Sequence, residues 1–113
     1  MDILDQSKID RLASEIGEEN VPVLLEIFLG ELKMYIDQLS QLESSEQEDY
    51  LKEISHALKS SAASFGAEAL RTYSVEVDSV AKSGVNLNSD EYKENMLSLL
   101  SETQQRYQTL FDK

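Results

Sequence analysis

Cysteine and tryptophan are absent from this 113-residue sequence, and histidine and proline occur once each. Without cysteine the chain has no disulfide, no cysteine-ligated zinc site and no thiol nucleophile, which fits a reducing compartment. A single histidine excludes metal sites built on several histidines. Basic residues are also few, with 10 Lys and Arg against 22 Asp and Glu and a formal net charge of -12. This charge argues against binding to nucleic acids or anionic membranes, because phosphate contacts need clustered Lys and Arg.

Long hydrophobic runs are missing as well. The strongest run, Val21–Leu29, is interrupted by Glu26 and falls short of the roughly 18 apolar residues of a membrane span. Asp2 and Asp5 stand where a signal peptide would carry its basic region. With 41% hydrophobic residues the chain can bury one modest core. We expect one cytoplasmic domain.

Helix breakers are scarce, because the chain has one proline and four glycines, and this scarcity predicts long helices. From about Ser7 to Ile16 the apolar residues recur every three or four positions, and Gly17 follows as a C-cap, which predicts a short first helix. Asn20 as an N-cap, with Pro22 in the first turn, predicts a long second helix. Its apolar face comprises Leu25, Phe28, Leu32, Tyr35, Leu39 and Leu42.

Three further amphipathic helices follow. The polar stretch Glu43–Asp49 is expected to precede the third helix, which Gly66 closes. The fourth helix ends near Lys82, and a capping box of Asn88 and Glu91 opens the fifth. Their apolar faces comprise Leu51, Ile54, Leu58, Ala62 and Phe65, then Leu70, Tyr73, Val77 and Val80, then Met96, Leu99, Leu100, Tyr107 and Leu110. The sequence therefore predicts an all-α antiparallel four-helix bundle with an additional short N-terminal helix over one end.

The single histidine lies on the polar side of the third helix. At about 100° per residue, and with Ile54 set to zero, the apolar residues of this helix fall between roughly 0° and 80°. His56 falls at about 200°, so its imidazole is expected to face water. Lys52 and Lys59 lie one turn before and one turn after it, within reach along a helix. The only imidazole of an acidic chain is thus placed between two ammonium groups.

This setting suits a nucleophile that receives a phosphoryl group. An exposed imidazole is largely neutral near pH 7 and offers a ring nitrogen that can attack phosphorus. The ammonium of Lys59 could balance the incoming negative charge, and the hydroxyl of Ser60 could donate a hydrogen bond. Because Ser60 and Ala63 are small, they leave the helix face low enough for the active site of a partner to approach.

Spacing alone leaves other interpretations open. The commonest is a solvated surface histidine beside two unrelated lysines. A zinc site is disfavoured, because Glu53, three residues before His56, adds too few ligands for a closed tetrahedral shell. A non-catalytic helical adaptor, which holds a basic partner on its acidic surface, also fits the composition. An independent hydrolase fits poorly, because the region has no positioned nucleophile and no oxyanion donors.

The string His56–Ala67, HALKSSAASFGA, resembles the signature of histidine phosphotransfer (HPt) domains. In that family the phosphate-accepting histidine is followed by an apolar residue at +2, a lysine at +3 and a small residue at +4. An aromatic or aliphatic residue and a glycine then follow at +9 and +10. These places hold Leu58, Lys59, Ser60, Phe65 and Gly66. Serine departs from the glycine that is usual at +4, although serine is also small.

The resemblance covers essentially the whole chain, because such domains are about this long and fold as a four-helix bundle with a short extra helix. Some segments also resemble single-domain carriers in the quorum-sensing phosphorelays of marine Gram-negative bacteria. These segments are Glu15–Gly17, Asn20–Leu25, Ile27–Glu31 and Tyr50–His56. We therefore expect a single HPt domain over residues 1–113.

The resemblance implies that His56 takes a phosphoryl group from the aspartyl phosphate of one receiver domain and passes it to the aspartate of another. Lys59 would balance the phosphoryl charge. The surface for the partner would include Lys52, Ser60 and Ala63. Apolar residues of the first helix, such as Ile9 or Leu12, are expected to supplement this surface.

The implied partners are receiver domains of hybrid sensor kinases as donors and of an NtrC-type response regulator as acceptor. The receiver is expected to bring the magnesium ion, so the chain needs no cofactor, metal site or ATP site, and no autokinase activity is expected. A monomer gives a receiver the simplest access to His56. A degenerate domain that binds receivers as an adaptor, without carrying phosphate, remains an alternative.

Overall fold

The protein is an all-α bundle without a strand in the residues that the computed structural model describes, which are 3–87 and 89–111 with the side chains of 44, 45 and 111 excepted. The helices are α1 Gln6–Ile16, α2 Val21–Gln41, α3 Ser44–Phe65, α4 Glu68–Lys82 and α5 Asp90–Phe111, with a 3₁₀ turn at Glu18–Asn20. In this part of the chain, no helix has the length and apolar character needed to cross a membrane. The prediction of an all-α helical bundle is confirmed.

The four long helices enclose one hydrophobic core. α3 packs mainly on α4 and α2 mainly on α5, while α1 lies against α2 and α3. The predicted apolar faces supply most of the core. The hydrophobic residues with no exposed surface are Leu32, Leu39, Leu51, Ile54, Leu58, Ala62, Ala67, Leu70, Val77, Leu87, Met96, Leu100 and Tyr107.

The sequence suggested that the polar stretch Glu43–Asp49 precedes α3. The helix in fact begins at Ser44, so most of this stretch belongs to α3. Tertiary hydrogen bonds account for the difference. Gln47 is buried, and its Nε2 donates to the carbonyl oxygens of Leu87 and Ser89 at 3.1 and 3.0 Å. Polar residues here therefore bind the chain between α4 and α5, which a reading of helix periodicity does not reveal.

The predicted capping box that opens α5 falls partly outside the described residues, since these do not include Asn88. α5 itself begins at Asp90. The backbone N–H of Glu91 donates to Ser89 Oγ at 3.2 Å. The hydroxyl of Ser89 thus satisfies one of the amides that the first turn leaves without a helical partner.

Gly66 joins α1 to the end of α3. Its φ of 77° lies in the left-handed region, and its carbonyl oxygen accepts a 2.7 Å hydrogen bond from the backbone N–H of Asp5. A Cβ at this position would lie 2.6 Å from the carbonyl oxygen of Asp5. Next to it, Tyr107 Oη donates to the carbonyl oxygen of Phe65 at 2.6 Å. Glycine is therefore required both by the backbone angle and by the approach of α1.

Candidate functional site

His56 lies on the outer face of α3, with 72% of its side chain exposed. Its neighbours Ile54 and Leu58 have no exposed surface. The outward-facing imidazole that helical periodicity predicted is confirmed, because the core residues and the histidine lie on opposite sides of α3. The core side fixes α3 in the bundle and holds the imidazole at the surface.

A carboxylate from the neighbouring helix lies beside the imidazole. Asp78 of α4 places Oδ1 3.7 Å from His56 Nδ1, beyond hydrogen-bond length, while only 10% of the aspartate side chain is exposed. Its Oδ2 accepts from Lys59 Nζ at 2.7 Å and lies 2.9 Å from Lys82 Nζ. α3 and α4 thus meet in a cluster of one imidazole, one carboxylate and two ammonium groups.

The cluster shifts the titration of its own members. Hydrogen bonds from Lys59 and Lys82 to Asp78 lower the pKa of this carboxyl from 3.8 to about 2. The hydrogen bond to Asp78 also raises the pKa of Lys82. One carboxylate and two ammonium groups give the cluster a formal charge of +1. A chain with a formal net charge of -12 carries a local excess of positive charge beside its only imidazole.

The other predicted site residues are distributed along α3. Lys52 is half-exposed, and its Nζ lies 3.7 Å from Glu48 Oε1. Ser60 is exposed one turn after His56, and Ala63 is half-buried. Lys59 therefore joins the cluster around Asp78, while Lys52 pairs with a carboxylate of its own helix. The two small residues continue along α3 toward α1.

The first helix contributes less apolar surface than expected. Ile9 is only 6% exposed, because it packs into the core, so its proposed place on the partner surface is wrong. Leu12 is half-buried and does reach the surface. It lines a groove of about 210 Å³ between α1 and the end of α3. The lining residues are Lys8, Arg11, Leu12, Glu15, Ala63 and Ser64.

Sequence reasoning missed Asp78, Lys82 and Val75. All three lie on one face of α4, and Val75 is 43% exposed. A carboxylate and an ammonium at i and i+4 were visible in the sequence as an ordinary helical pair. Their proximity to the imidazole depends on the packing of α4 on α3, which the spacing along one helix does not encode.

The described residues contain no group of three or more His, Cys, Asp or Glu that could hold a metal ion. Around His56 the nearest carboxylate, that of Asp78, is bound through Oδ2 to two ammonium groups. The cluster is therefore arranged to accept and balance an anion. A nucleophilic imidazole with ammonium groups beside it suits phosphoryl transfer.

Comparison with known proteins gives the family. The model of the Hpt domain matches residues 23–111. The chain belongs to the Hpt family. This Hpt chain is similar to the phosphorelay protein LuxU of Vibrio cholerae serotype O1, with 56% identity over 107 residues that cover 95% of each chain.

Two further relatives of this Hpt chain carry the same name. The phosphorelay protein LuxU of Vibrio harveyi is 51% identical over 108 residues, which cover 96% of this chain and 95% of the relative. That of Vibrio vulnificus strain YJ016 is 52% identical over 107 residues, which cover 95% and 93%. No solved structure gives a significant match. The family named from the residues around His56 is thus confirmed over nearly the whole chain.

Proposed function

We propose that this protein is a phosphorelay carrier in which His56 receives a phosphoryl group from the aspartyl phosphate of one receiver domain and delivers it to the aspartate of another. The exposed imidazole beside two ammonium groups carries this proposal. Membership of the Hpt family and the similarity to phosphorelay proteins support it. The chain supplies the nucleophile, and the receiver supplies the magnesium ion and most of the catalytic groups.

The transfer uses Nε2 of His56. The other ring nitrogen, Nδ1, lies 3.7 Å from Asp78 Oδ1, on the side of α4, so we assign the transfer to Nε2, in the tautomer that carries its proton on Nδ1. The lone pair of Nε2 then attacks phosphorus in line, the N–P bond forms, and the bond from phosphorus to the donor aspartate breaks. In the second half, a carboxylate oxygen of the acceptor attacks phosphorus and Nε2 leaves with its electron pair.

Lys59 and Lys82 balance the charge of the transferred group. In the resting protein both ammonium groups lie within 3 Å of Asp78 Oδ2, which holds them beside the imidazole. When Nε2 carries a phosphoryl group, both ammonium groups have a second anion with which to pair. Because the lysines are already positioned, little reorganisation is needed when the charge arrives.

The partner surface surrounds His56. We assign to it the exposed Ser60, the half-buried Ala63 and the exposed Val75 on the neighbouring helix. Lys52 lies one turn further along α3 and, paired with Glu48, belongs to the edge of this surface. Small side chains next to the imidazole allow a receiver to bring its aspartate within reach of Nε2.

We propose that this relay serves quorum sensing, and the similarity to the LuxU phosphorelay proteins supports this proposal. We propose receivers of hybrid sensor kinases as donors and an NtrC-type response regulator resembling LuxO as the acceptor. We also propose the cytoplasm as the place of transfer, because the phosphoryl group entering such a relay comes from ATP. The chain acts there as a single domain over residues 1–113.

An adaptor that binds receivers without carrying phosphate is the second candidate. The acidic composition of the chain supports this candidate, because an adaptor can hold a basic partner on an acidic surface. The two functions differ in their need for a nucleophile. An adaptor keeps its function when His56 is replaced, whereas a carrier loses it while the fold remains.

A reconstituted relay tests the proposal. A hybrid-kinase receiver is phosphorylated with labelled phosphate and mixed with the chain and an NtrC-type regulator, and label in the regulator is followed with time. We expect transfer with wild type and none with His56→Gln. Equal transfer with the variant, or label that never leaves the donor although the chain binds it, overturns the carrier role.

A further inference from the structure

Asp78 places a negative charge beside the imidazole that receives the phosphoryl group in the proposed function. Its Oδ1 lies 3.7 Å from His56 Nδ1, and only 10% of the aspartate side chain is exposed. The packing of α4 on α3 holds this carboxylate in place. A phosphoryl group on Nε2 would lie one ring width further away, a separation comparable to the screening length of about 8 Å at an ionic strength of about 0.15 M. Repulsion between the two anions is therefore only partly screened.

The ammonium groups assigned to balance the phosphoryl charge are already paired with the same carboxylate. Lys59 Nζ and Lys82 Nζ lie 2.7 and 2.9 Å from Asp78 Oδ2. Their hydrogen bonds lower the pKa of the Asp78 carboxyl to about 2, so the carboxylate is ionised and competes for the lysines at neutral pH. A phosphoryl group on His56 therefore shares both lysines with a second anion.

We infer that Asp78 is a positioning residue that keeps the phosphoryl group of His56 transferable. It holds Lys59 and Lys82 beside the imidazole, and because it stays paired with them it limits how firmly they bind the phosphoryl group. The inference rests on the proposed carrier function and adds a residue that sets its energetics. Asp78 shifts the equilibrium between phosphorylated chain and phosphorylated receiver toward the receiver, so the carrier releases the group that it accepts.

The onward step removes the phosphoryl group and leaves the ring as it was before phosphorylation. A carboxylate oxygen of the acceptor forms a bond to phosphorus, the N–P bond at His56 Nε2 breaks, and Nε2 keeps the electron pair of that bond. The ring then returns to the neutral tautomer with its proton on Nδ1. The two states of the chain differ by the phosphoryl charge, so the charge of the cluster beside it acts directly on the equilibrium.

Substitutions in the cluster change its charge in opposite directions. Asp78→Asn keeps the shape of the side chain and raises the formal charge of the cluster by one, whereas Lys82→Ala lowers it by one. The double variant with both changes restores the formal charge of wild type. Glu76→Gln is the matched control, because Glu76 is an exposed residue of α4 outside the cluster. It changes the net charge of the chain by the same amount as Asp78→Asn.

The equilibrium constant is measured as the ratio of the transfer rates in the two directions with one receiver domain. One reaction starts from chain phosphorylated on histidine with phosphoramidate, the other from phosphorylated receiver, and rapid quenching followed by separation of the phosphorylated forms gives both rate constants. We expect Asp78→Asn to shift the equilibrium at least about fivefold toward phosphorylated chain, and Lys82→Ala to shift it toward the receiver. The double variant and Glu76→Gln should stay within about twofold of wild type.

The equilibrium constant separates the possible outcomes. A purely structural role of Asp78 slows transfer equally in both directions and leaves the ratio unchanged. An unchanged ratio in Asp78→Asn, a shift toward the receiver, or an equal shift in Glu76→Gln overturns the inference while a phosphorylated wild type keeps the carrier function. A wild type that exchanges no phosphoryl group with the receiver overturns the carrier function and this inference with it. Circular dichroism confirms that each variant is folded.

Discussion

Lys59 on α3 and Asp78 on α4 are joined by a 2.7 Å contact between Nζ and Oδ2, directly beside His56. The contact has two consequences. It connects the helix that carries His56 to its neighbour, and it holds the ammonium group of Lys59 on the carboxylate that lies beside the imidazole. If His56 is the phosphoryl acceptor, as we propose, its phosphoryl group competes with Asp78 for the ammonium group of Lys59, and this pair links the resting protein to the phosphorylated one.

Replacement of Lys59 tests its role in charge balance. We expect Lys59→Ala to slow phosphoryl transfer by at least about tenfold, because the transition state loses a positioned cation. Lys52→Ala is the matched change, since Lys52 flanks His56 on the other side but pairs with Glu48. Its effect should stay within about twofold, as for a screened surface charge. The initial rate of transfer from a phosphorylated receiver is the measurement, and equal effects of the two changes would contradict the assignment.

Asp78→Asn tests the cluster through its pH dependence. The pKa of Asp78 is lowered from 3.8 to about 2 in the folded protein, so its ionised form adds stability above pH 3.8. As the pH falls toward 2 the unfolded state takes up this proton first, and the contribution disappears. The difference in unfolding free energy between wild type and Asp78→Asn should therefore be largest near neutral pH and shrink between pH 4 and about 2.

Urea denaturation at a series of pH values measures this difference. Other carboxylates titrate in both proteins, so their effects cancel when the two curves are subtracted. A difference that stays constant from neutral pH down to about 2 would show that Asp78 is not held ionised by its two lysines.

Two glycines make opposite predictions for stability. Gly66→Ala should destabilise the protein by about 2 kcal/mol or more, because φ is 77° and the new Cβ would lie 2.6 Å from the carbonyl oxygen of Asp5. Gly30→Ala should stabilise it by up to about 1 kcal/mol, because Gly30 is exposed in a helix interior with open space around it. Chemical denaturation checks both values. If both substitutions raise the free energy of unfolding, or both lower it, the local geometry at one of the two glycines is contradicted.

A bulky residue at Ser60 tests the partner surface. Ser60→Tyr places a ring one helical turn from His56 and should slow transfer at least about tenfold, since a small displacement of the reacting groups is costly. Ser98→Tyr is the control, because Ser98 is exposed on α5, and the cluster residues lie on α3 and α4. Binding and transfer assays with one receiver separate the two variants. If both leave the rates unchanged, the receiver does not approach over this part of α3.

The sequence predicted the helices well because their signals are local. Gly17, Gly66 and Pro22 lie near helix ends, and regular apolar spacing placed His56 on the outer face of α3. The predicted polar connection at Glu43–Asp49 was wrong, because Gln47 gains its hydrogen bonds from a segment 40 residues away in the sequence. Local patterns contain no information about such a partner.

The candidate site was only partly predictable for the same reason. His56 and Lys59 lie on one helix, and their assignment came from a resemblance carried by consecutive residues. Asp78 and Lys82 join them only through the packing of α4 on α3. Ile9 was placed on the surface because a short amphipathic helix was expected to leave apolar residues exposed, yet its side chain completes the core.

The most direct test of the carrier function is phosphorus NMR of the protein at neutral pH after incubation with a phosphorylated hybrid-kinase receiver. We predict a phosphoramidate resonance that is stable in alkali, is lost in acid and is absent from folded His56→Gln. A wild type that binds competent donors but never acquires this resonance, or an equal resonance in the variant, would contradict phosphoryl transfer through His56.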